Sequence, residues 1–410
     1  MAAKPGTSTP AGPAAPAGPA RVADMIGAAR LATDAVGGVA ELAQALHLAV
    51  LGHLPAPVGR PLALATSLVY RSVRGVAGLA GGGVEHALAR LQPLLGERSG
   101  WAGREAVLAA LNGVLGDRLA RDGNPLAIPM QFRRHGQPLA LQRPAAQPAA
   151  PSGGRILVLA HGLCMNDLQW QRNGHDHGAL LERERGYTAV YLHYNSGRHI
   201  SENGDDFAHK LEALLAQWPV PVEELAIVGH SMGGLVARSA CHYGAQAGHS
   251  WLGRLRKMVF LGSPHHGAPL ERGGNWVHLF TDLTPYTAPF TRLAKLRSAG
   301  ITDLRHGSLL DEDWVGRDRF SHGNAAPVFV PLPAHVACHA IAATIGQDPA
   351  QLSGRLAGDG LVPVASALGR HSDPLRTLAI PSDRQATVHG VNHMELLDSP
   401  DVARHLLAWM

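Results

Sequence analysis

One stretch constrains the fold more than any other: Leu225-Ala-Ile-Val-Gly229-His230-Ser231-Met232-Gly233-Gly234-Leu-Val-Ala-Arg238. Four apolar residues suited to a buried strand run directly into Gly-His-Ser-Met-Gly, and a helix-forming run follows without a gap. The pattern predicts strand, sharp turn, helix. The central residue of such a turn is forced into a strained backbone conformation that lifts its side chain above the sheet, and its neighbours must be small. Gly229 and Gly233 meet that requirement. The Ser231 hydroxyl would then stand at a helix N-terminus, where free N–H groups and the helix dipole favour developing negative charge. In a chain with 48 glycines the bare G-x-S-x-G pattern says little. Its weight comes from the strand before it and the helix after it.

The whole chain sets wider bounds. With 410 residues, two regions are expected, each long enough to bury a core. A hydrophobic content of 46% excludes disorder throughout. The formal net charge of +4 comes from dispersed arginines without a basic block, which argues against nucleic acid as a partner. Three cysteines, Cys164, Cys241 and Cys338, are an odd number without metal-like spacing. At least one is therefore free of an internal disulfide, as suits a reducing, cytoplasmic compartment. Met1 to Ala20 is rich in Pro, Ala, Gly and Ser and lacks an apolar core, so it reads as a disordered tail rather than a signal peptide. Asp24, Arg30, Asp34, Glu41 and Arg71 interrupt every stretch that approaches the ~18 to 20 apolar residues of a membrane span. The expectation is a soluble protein, or at most one peripheral to a membrane.

Residues 21–128 read as a helical N-terminal region. One helical pattern runs from Val22 to about Leu51, a second from Leu62 to Leu79, and the clearest carries Val107, Leu108, Leu111, Val114, Leu115 and Leu119 at helical spacing. The apolar faces of these helices are expected to dock on the rest of the chain, with pairing to a second copy or contact to a membrane or a lipid granule as the alternatives. Met130 to Leu141 reads as two short strands about His135-Gly-Gln-Pro138, and Arg143 to Gly154 as a linker. From Arg155 strands and helices alternate. Strands are expected at Ile156–Ala160, Thr188–His193, Leu225–Val228, Lys257–Leu261, His335–Ile345 and Arg384–Val388, and helices around Asp205–Trp218, Gly234–Tyr243 and Ser399–Trp409. Such alternation gives a mostly parallel sheet with helices on both faces, whose ligands sit at the carboxyl ends of the strands.

The chemistry-bearing segments all follow strands. They are His161-Gly162-Leu163-Cys164, the Ser231 turn, Gly262-Ser-Pro-His265-His266-Gly267, Gly358-Asp359-Gly360-Leu-Val-Pro and His389-Gly-Val-Asn-His393. Nucleophile, acid and base thus occur in the order Ser, Asp, His. Taken together, these segments resemble the α/β-hydrolases, and among them the bacterial lipases and esterases, from about Met130 to the end of the chain. The helices before Met130 are not part of that resemblance.

The resemblance implies an α/β-hydrolase domain over 129–410 and a serine ester hydrolase with Ser231, Asp359 and His393 as its triad. It further implies an oxyanion hole built from the backbone N–H groups of Leu163 and Met232, and a substrate pocket near His161, Gly162, His230 and His265. Asp303, Asp311 and Asp313 are weaker candidates for the acid, and His389 competes with His393 for the base. The substrate implied is a small-molecule or lipid ester, with hydrolysis or acyl transfer at another acyl bond, a thioester or a polyhydroxyalkanoate polyester, as the alternative and a non-catalytic scaffold as the third reading. Aromatic residues between about 270 and 330, Trp276, Phe280, Tyr286, Phe290, Trp314 and Phe320, suggest a cap over the site. No cofactor motif and no metal-ligating cluster is found, Cys164 reads as packing, and oligomeric state is left open.

Overall fold

The alternating runs after residue 130 assemble into one eight-stranded sheet in the computed structural model of the chain. The structure describes residues 104–139, 153–268, 298–316, 326–347 and 358–410, together with Ile26, Gly27, Arg30, Ser67 and Arg71. The expected tail at 1–20, the helices at 22–51 and 62–79, most of the linker at 143–154 and most of the 270–330 insertion lie outside the described residues. Of the aromatics expected in the cap, Trp314 is described.

The strands are β1 (Gln131–Arg134), β2 (Gln137–Pro138), β3 (Arg155–Ala160), β4 (Thr188–His193), β5 (Glu224–His230), β6 (Leu255–Leu261), β7 (Ala337–Thr344) and β8 (Gln385–His389). Their order across the sheet is β2-β1-β4-β3-β5-β6-β7-β8. All pairs from β4 to β8 are parallel, while β1 runs antiparallel to β4 and to β2. The β1–β2 hairpin turns at His135 and Gly136, with φ of 51° and 72°, the two positive values that a tight hairpin turn demands. The inner parallel strands are covered on both faces. Ile156–Ala160, Leu225–Val228 and Met258–Leu261 are all buried, which is why they read as unbroken apolar runs.

Helices in the described residues are α1 (Arg104–Arg121), α2 (His177–Arg185), α3 (Ile200–Gln217), α4 (Met232–Gln246), α5 (Ala299–His306), α6 (Val364–Ala367) and α7 (Pro400–Trp409). The apolar pattern does not announce the short α2, because Leu181 is the sole apolar anchor among its buried residues, with His177 and Gly178 beside it. Its boundaries are set by caps instead. The Asp176 carboxylate accepts from the Gly178 and Ala179 N–H groups, and Gly186, at φ 70°, ends the helix.

By contacts the chain divides into two units, Met1–Arg104 and Glu105–Met410. The sequence pattern starts the catalytic domain at residue 129, whereas the contacts include 105–128 with the sheet. The reason is a set of polar ties. The Asn112 amide donates to Leu126 O at 2.8 Å and accepts from Ile128 N at 2.9 Å, and Gly116 O accepts from the Asn195 side chain at 2.9 Å. Helix α1 is thereby fastened both to the approach to β1 and to the loop after β4.

The strand order and the helical crossovers define the α/β-hydrolase fold. From β3 the chain crosses to β4 on one side, and from β4 it returns to β5 on the other side of β3. The order therefore reverses beside β3 and β5, and at such a switch point the two following loops part at the carboxyl ends of the strands and leave a crevice.

Candidate active site

Ser231 occupies the switch point, between the end of β5 and the start of α4. Its backbone has φ 53° and ψ −122°, a region that residues with a side chain seldom adopt. The turn is locked on both sides, since Ser231 N donates to Leu261 O at 2.8 Å and Gly234 N donates to Ser231 O at 3.1 Å. A Cβ on Gly233 would stand 2.1 Å from Ala160 O, and one on Gly229 would stand 2.5 Å from the Gly234 backbone. Strand β3, strand β5 and helix α4 are thus in direct backbone contact, and only glycine permits that approach.

Across the crevice, β3 ends in the tight turn 161–165. Met165 N donates to Gly162 O at 3.3 Å, and Cys164 takes φ 61° while its N–H donates to Ser196 Oγ at 3.0 Å. Among the described residues, neither Leu163 N nor Met232 N donates to a protein acceptor. These are the two amides expected at an oxyanion hole. Burial pushes the Cys164 thiol well up, away from the thiolate, in keeping with a packing role.

The third part comes from the ends of β7 and β8. The Asp359 Oδ1 atom accepts from Leu361 N at 3.0 Å and Val362 N at 2.8 Å, and its Oδ2 accepts from His393 Nδ1 at 2.7 Å. His393 N donates to Asp359 O at 3.1 Å, so ring and backbone are both registered on the same residue. The side chains of the pair are 4% and 0% exposed, which shields their interaction from water. His389, the competing histidine, lies in β8 paired with Thr344. The weaker acid candidates are engaged elsewhere: Asp303 accepts from His199 Nδ1 and Ile200 N, Asp313 accepts from the backbone of Leu309, Leu310 and Val328, and Asp311 lies exposed beside Tyr243.

Ser231 and His393 line one narrow crevice, together with Gly162, Leu163, Met165, His230, Ala268, Leu304, Leu361 and Val362. Among the described residues its walls are mostly apolar and carry no carboxylate, arginine or lysine. Of the residues expected at the pocket, Gly162 and His230 line it, while His161 and His265 do not. His161 is fully buried, with its ring stacked 4.3 Å from Tyr194 and Nδ1 donating to Gly162 O at 2.9 Å. It supports the turn from beneath. His265 packs edge-on to Phe260 and accepts from the buried Arg238 guanidinium at 3.3 Å. Its position after β6 turns it down behind α4 rather than into the crevice. His230 has a second contact, since its Nε2–H donates to His393 O at 3.0 Å and ties the elbow to the loop that carries His393. Leu361 and Val362 follow Asp359 and Gly360, so their place on the wall is signalled by Asp-Gly-Leu-Val. Leu304, on a helix far along the chain, has no sequence signal.

Burial lowers the His161 imidazole to about 3 and that of His177 to about 4, and it holds His230 and His265 well below the ordinary range, with His393 and Arg238 respectively adding to the effect. In the unfolded chain these rings bind a proton near pH 6.5. The unfolded state therefore takes up protons first as pH falls, and each ring removes up to about 1.4 kcal/mol of stability per pH unit below that point. Stability should be full above about pH 6.5 and decline steadily below it, with the melting temperature lower by roughly 5 °C or more at pH 5 than at pH 7. A melting temperature that is flat across that interval in calorimetry would rule out the neutral buried histidines.

The chain has the α/β-hydrolase fold, with a strained serine at the turn between β5 and α4. A protein-family profile described as "Domain of unknown function (DUF7379)" matches residues 127–305. A search of curated proteins finds no match. Similar solved structures include the Bacillus licheniformis lipase BlEst2 in mature form, at 17% identity over 62% of this chain and 90% of that one, with a TM-score of 0.34. An esterase of Pyrobaculum calidifontis is 17% identical over 62% of this chain and 73% of its own, with a TM-score of 0.36. The Pyrococcus furiosus esterase Pf2001 is 14% identical over 64% and 85%, with a TM-score of 0.35. The activities in those names belong to those proteins, and the fold of this chain rests on its own strand order.

Proposed function

We propose that the protein is a serine hydrolase of carboxylic esters that works through an acyl-enzyme. The observation that supports this most is the convergence on one apolar cavity of a strained serine and a histidine bonded to a buried aspartate. His393 Nδ1–H donates to Asp359, which leaves Nε2 as the basic nitrogen. In the proposed reaction Nε2 takes the Ser231 proton as Oγ attacks the acyl carbonyl, and Asp359 stabilises the imidazolium so formed. The carbonyl oxygen, now negative, is held by the N–H groups of Leu163 and Met232. Collapse of the tetrahedral intermediate expels the alcohol, which takes the proton from Nε2, and water then cleaves the acyl-enzyme by the reverse proton path.

The apolar character of the described cavity wall, whose ionisable side chains are histidines, favours a neutral, apolar acyl group. The test is hydrolysis of p-nitrophenyl esters from acetate to palmitate by the purified full chain. Turnover is expected, with kcat/KM highest for short to medium acyl chains and lower for palmitate. If no chain length is turned over, the ester reading fails, and thioester or polyester substrates become the ones to assay.

A further inference from the structure

Helix α1 lies outside the resemblance to lipases and esterases, yet its middle presses on the turn that carries Leu163. A Cβ on Gly113 would stand 2.1 Å from Cys164 Sγ and 2.9 Å from Cys164 Cα, so helix backbone and turn touch directly. Glycine is among the poorest helix formers, and here Gly113 and Gly116 both sit in the middle of an 18-residue helix. A contact explains them. Gly197, on the loop after β4, meets the same part of α1 from another side, where a Cβ would fall 2.0 Å from Asn112 O.

Polar ties fix the helix at this height. Ser298 Oγ donates to Gly113 O at 2.6 Å, Ala299 N donates to Asp117 Oδ2 at 3.2 Å, and Asn195 Nδ2 donates to Gly116 O at 2.9 Å. With the Asn112 bonds to Leu126 and Ile128, residues 112–117 are tied to three separate parts of the chain. On the far side the turn is held by Ser196 Oγ, which accepts from Cys164 N. Cys164 is therefore clamped between a hydroxyl and a helix while its backbone keeps a positive φ of 61°.

The geometry points to Gly113 of α1 as a positioning residue for the oxyanion hole: through Cys164 it sets the orientation of the preceding Leu163 amide. This rests on the reading of Leu163 N–H as an oxyanion donor. A donor of that kind acts on the transition state rather than on the bound substrate, so its displacement lowers kcat and spares KM.

The test compares wild type, Gly113→Ala, Ser298→Ala and the double variant Gly113→Ala/Cys164→Gly on p-nitrophenyl butyrate. Rates are normalised to the Ser231 that a fluorophosphonate labels, so unfolded material does not count. Gly113→Ala adds a methyl group where Cys164 already stands, and kcat is expected to fall about tenfold or more with KM within about twofold. In the double variant the thiol that collides is gone and glycine suits the positive φ, so kcat should recover part of the loss, the approach of 2.9 Å to the Cα at 164 remaining. Ser298→Ala loosens the helix without adding bulk and should lower kcat in the same direction. If kcat of Gly113→Ala stays within twofold of wild type, or falls without recovery in the double variant, α1 does not position the turn. Should Gly113→Ala fail to fold, Ser298→Ala decides in its place, an unchanged kcat overturning the inference. Loss of activity in wild type itself would instead overturn the ester-hydrolase reading, and the inference with it.

Discussion

Replacing Ser231 with alanine is expected to lower kcat for ester hydrolysis by about 10⁴-fold or more and to abolish labelling by a fluorophosphonate. The change removes one oxygen. Alanine keeps the Cβ that already sits at φ 53°, so the strain of the elbow and its bonds to Leu261 and Gly234 remain as they are. Loss of activity can then be assigned to the nucleophile, because the cavity walls and the Asp359–His393 pair do not depend on the hydroxyl. Equal melting curves for variant and wild type are the control. Retention of more than about one per cent of kcat would falsify Ser231 as the attacking group, and would direct attention to a water activated by His393.

Asp359→Asn should cost nearly as much, about 10⁴-fold in kcat, although it exchanges one oxygen for an NH2 group. The cause is the orientation that the surrounding backbone imposes. Oδ1 of Asp359 accepts from both Leu361 N and Val362 N, and an asparagine must keep its oxygen there to satisfy them. Its NH2 group then faces His393 Nδ1, where the carboxylate now accepts a hydrogen bond at 2.7 Å. Nδ1 is forced to become the acceptor, the proton moves to Nε2, and the nitrogen that should deprotonate Ser231 can no longer do so. The pH–rate profile and kcat of Asp359→Asn, measured beside Asp359→Ala, check this. A decrease of less than tenfold for Asp359→Asn would mean that the aspartate does not set the tautomer.

The central sheet is legible in the sequence because its parallel strands are buried on both faces, and such strands read as plain apolar runs between turns. The strands at Ile156–Ala160, Thr188–His193 and Leu225–Val228 fall within β3, β4 and β5 with little displacement. Helix α3 starts earlier than the expected Asp205, at Ile200, because its first turn is buried by tertiary contacts and carries little apolar periodicity of its own. Legibility is poorest for histidine. His161 and His265 both adjoin segments that face the crevice, yet one ring lies under the turn on Tyr194 and the other lies behind α4 on Phe260. Sequence proximity to a site fixes the backbone of a residue within a few ångströms, and leaves the direction of its side chain to local packing.

Local requirements are what the sequence determines unaided. A strained serine flanked by glycines, an Asp-Gly turn and the chain order Ser, Asp, His can each be read along the chain, because each depends on residues adjacent in sequence. The tertiary structure alone brought His393 rather than His389 to Asp359, since Asp359 and His393 are 34 positions apart and meet only where the ends of β7 and β8 lie side by side. It alone also joined α1 to the Leu163 turn, across a contact between Gly113 and Cys164 that no periodicity announces. Both outcomes have the same physical origin: hydrogen bonds and steric contacts act over a few ångströms in space, whatever the distance along the chain.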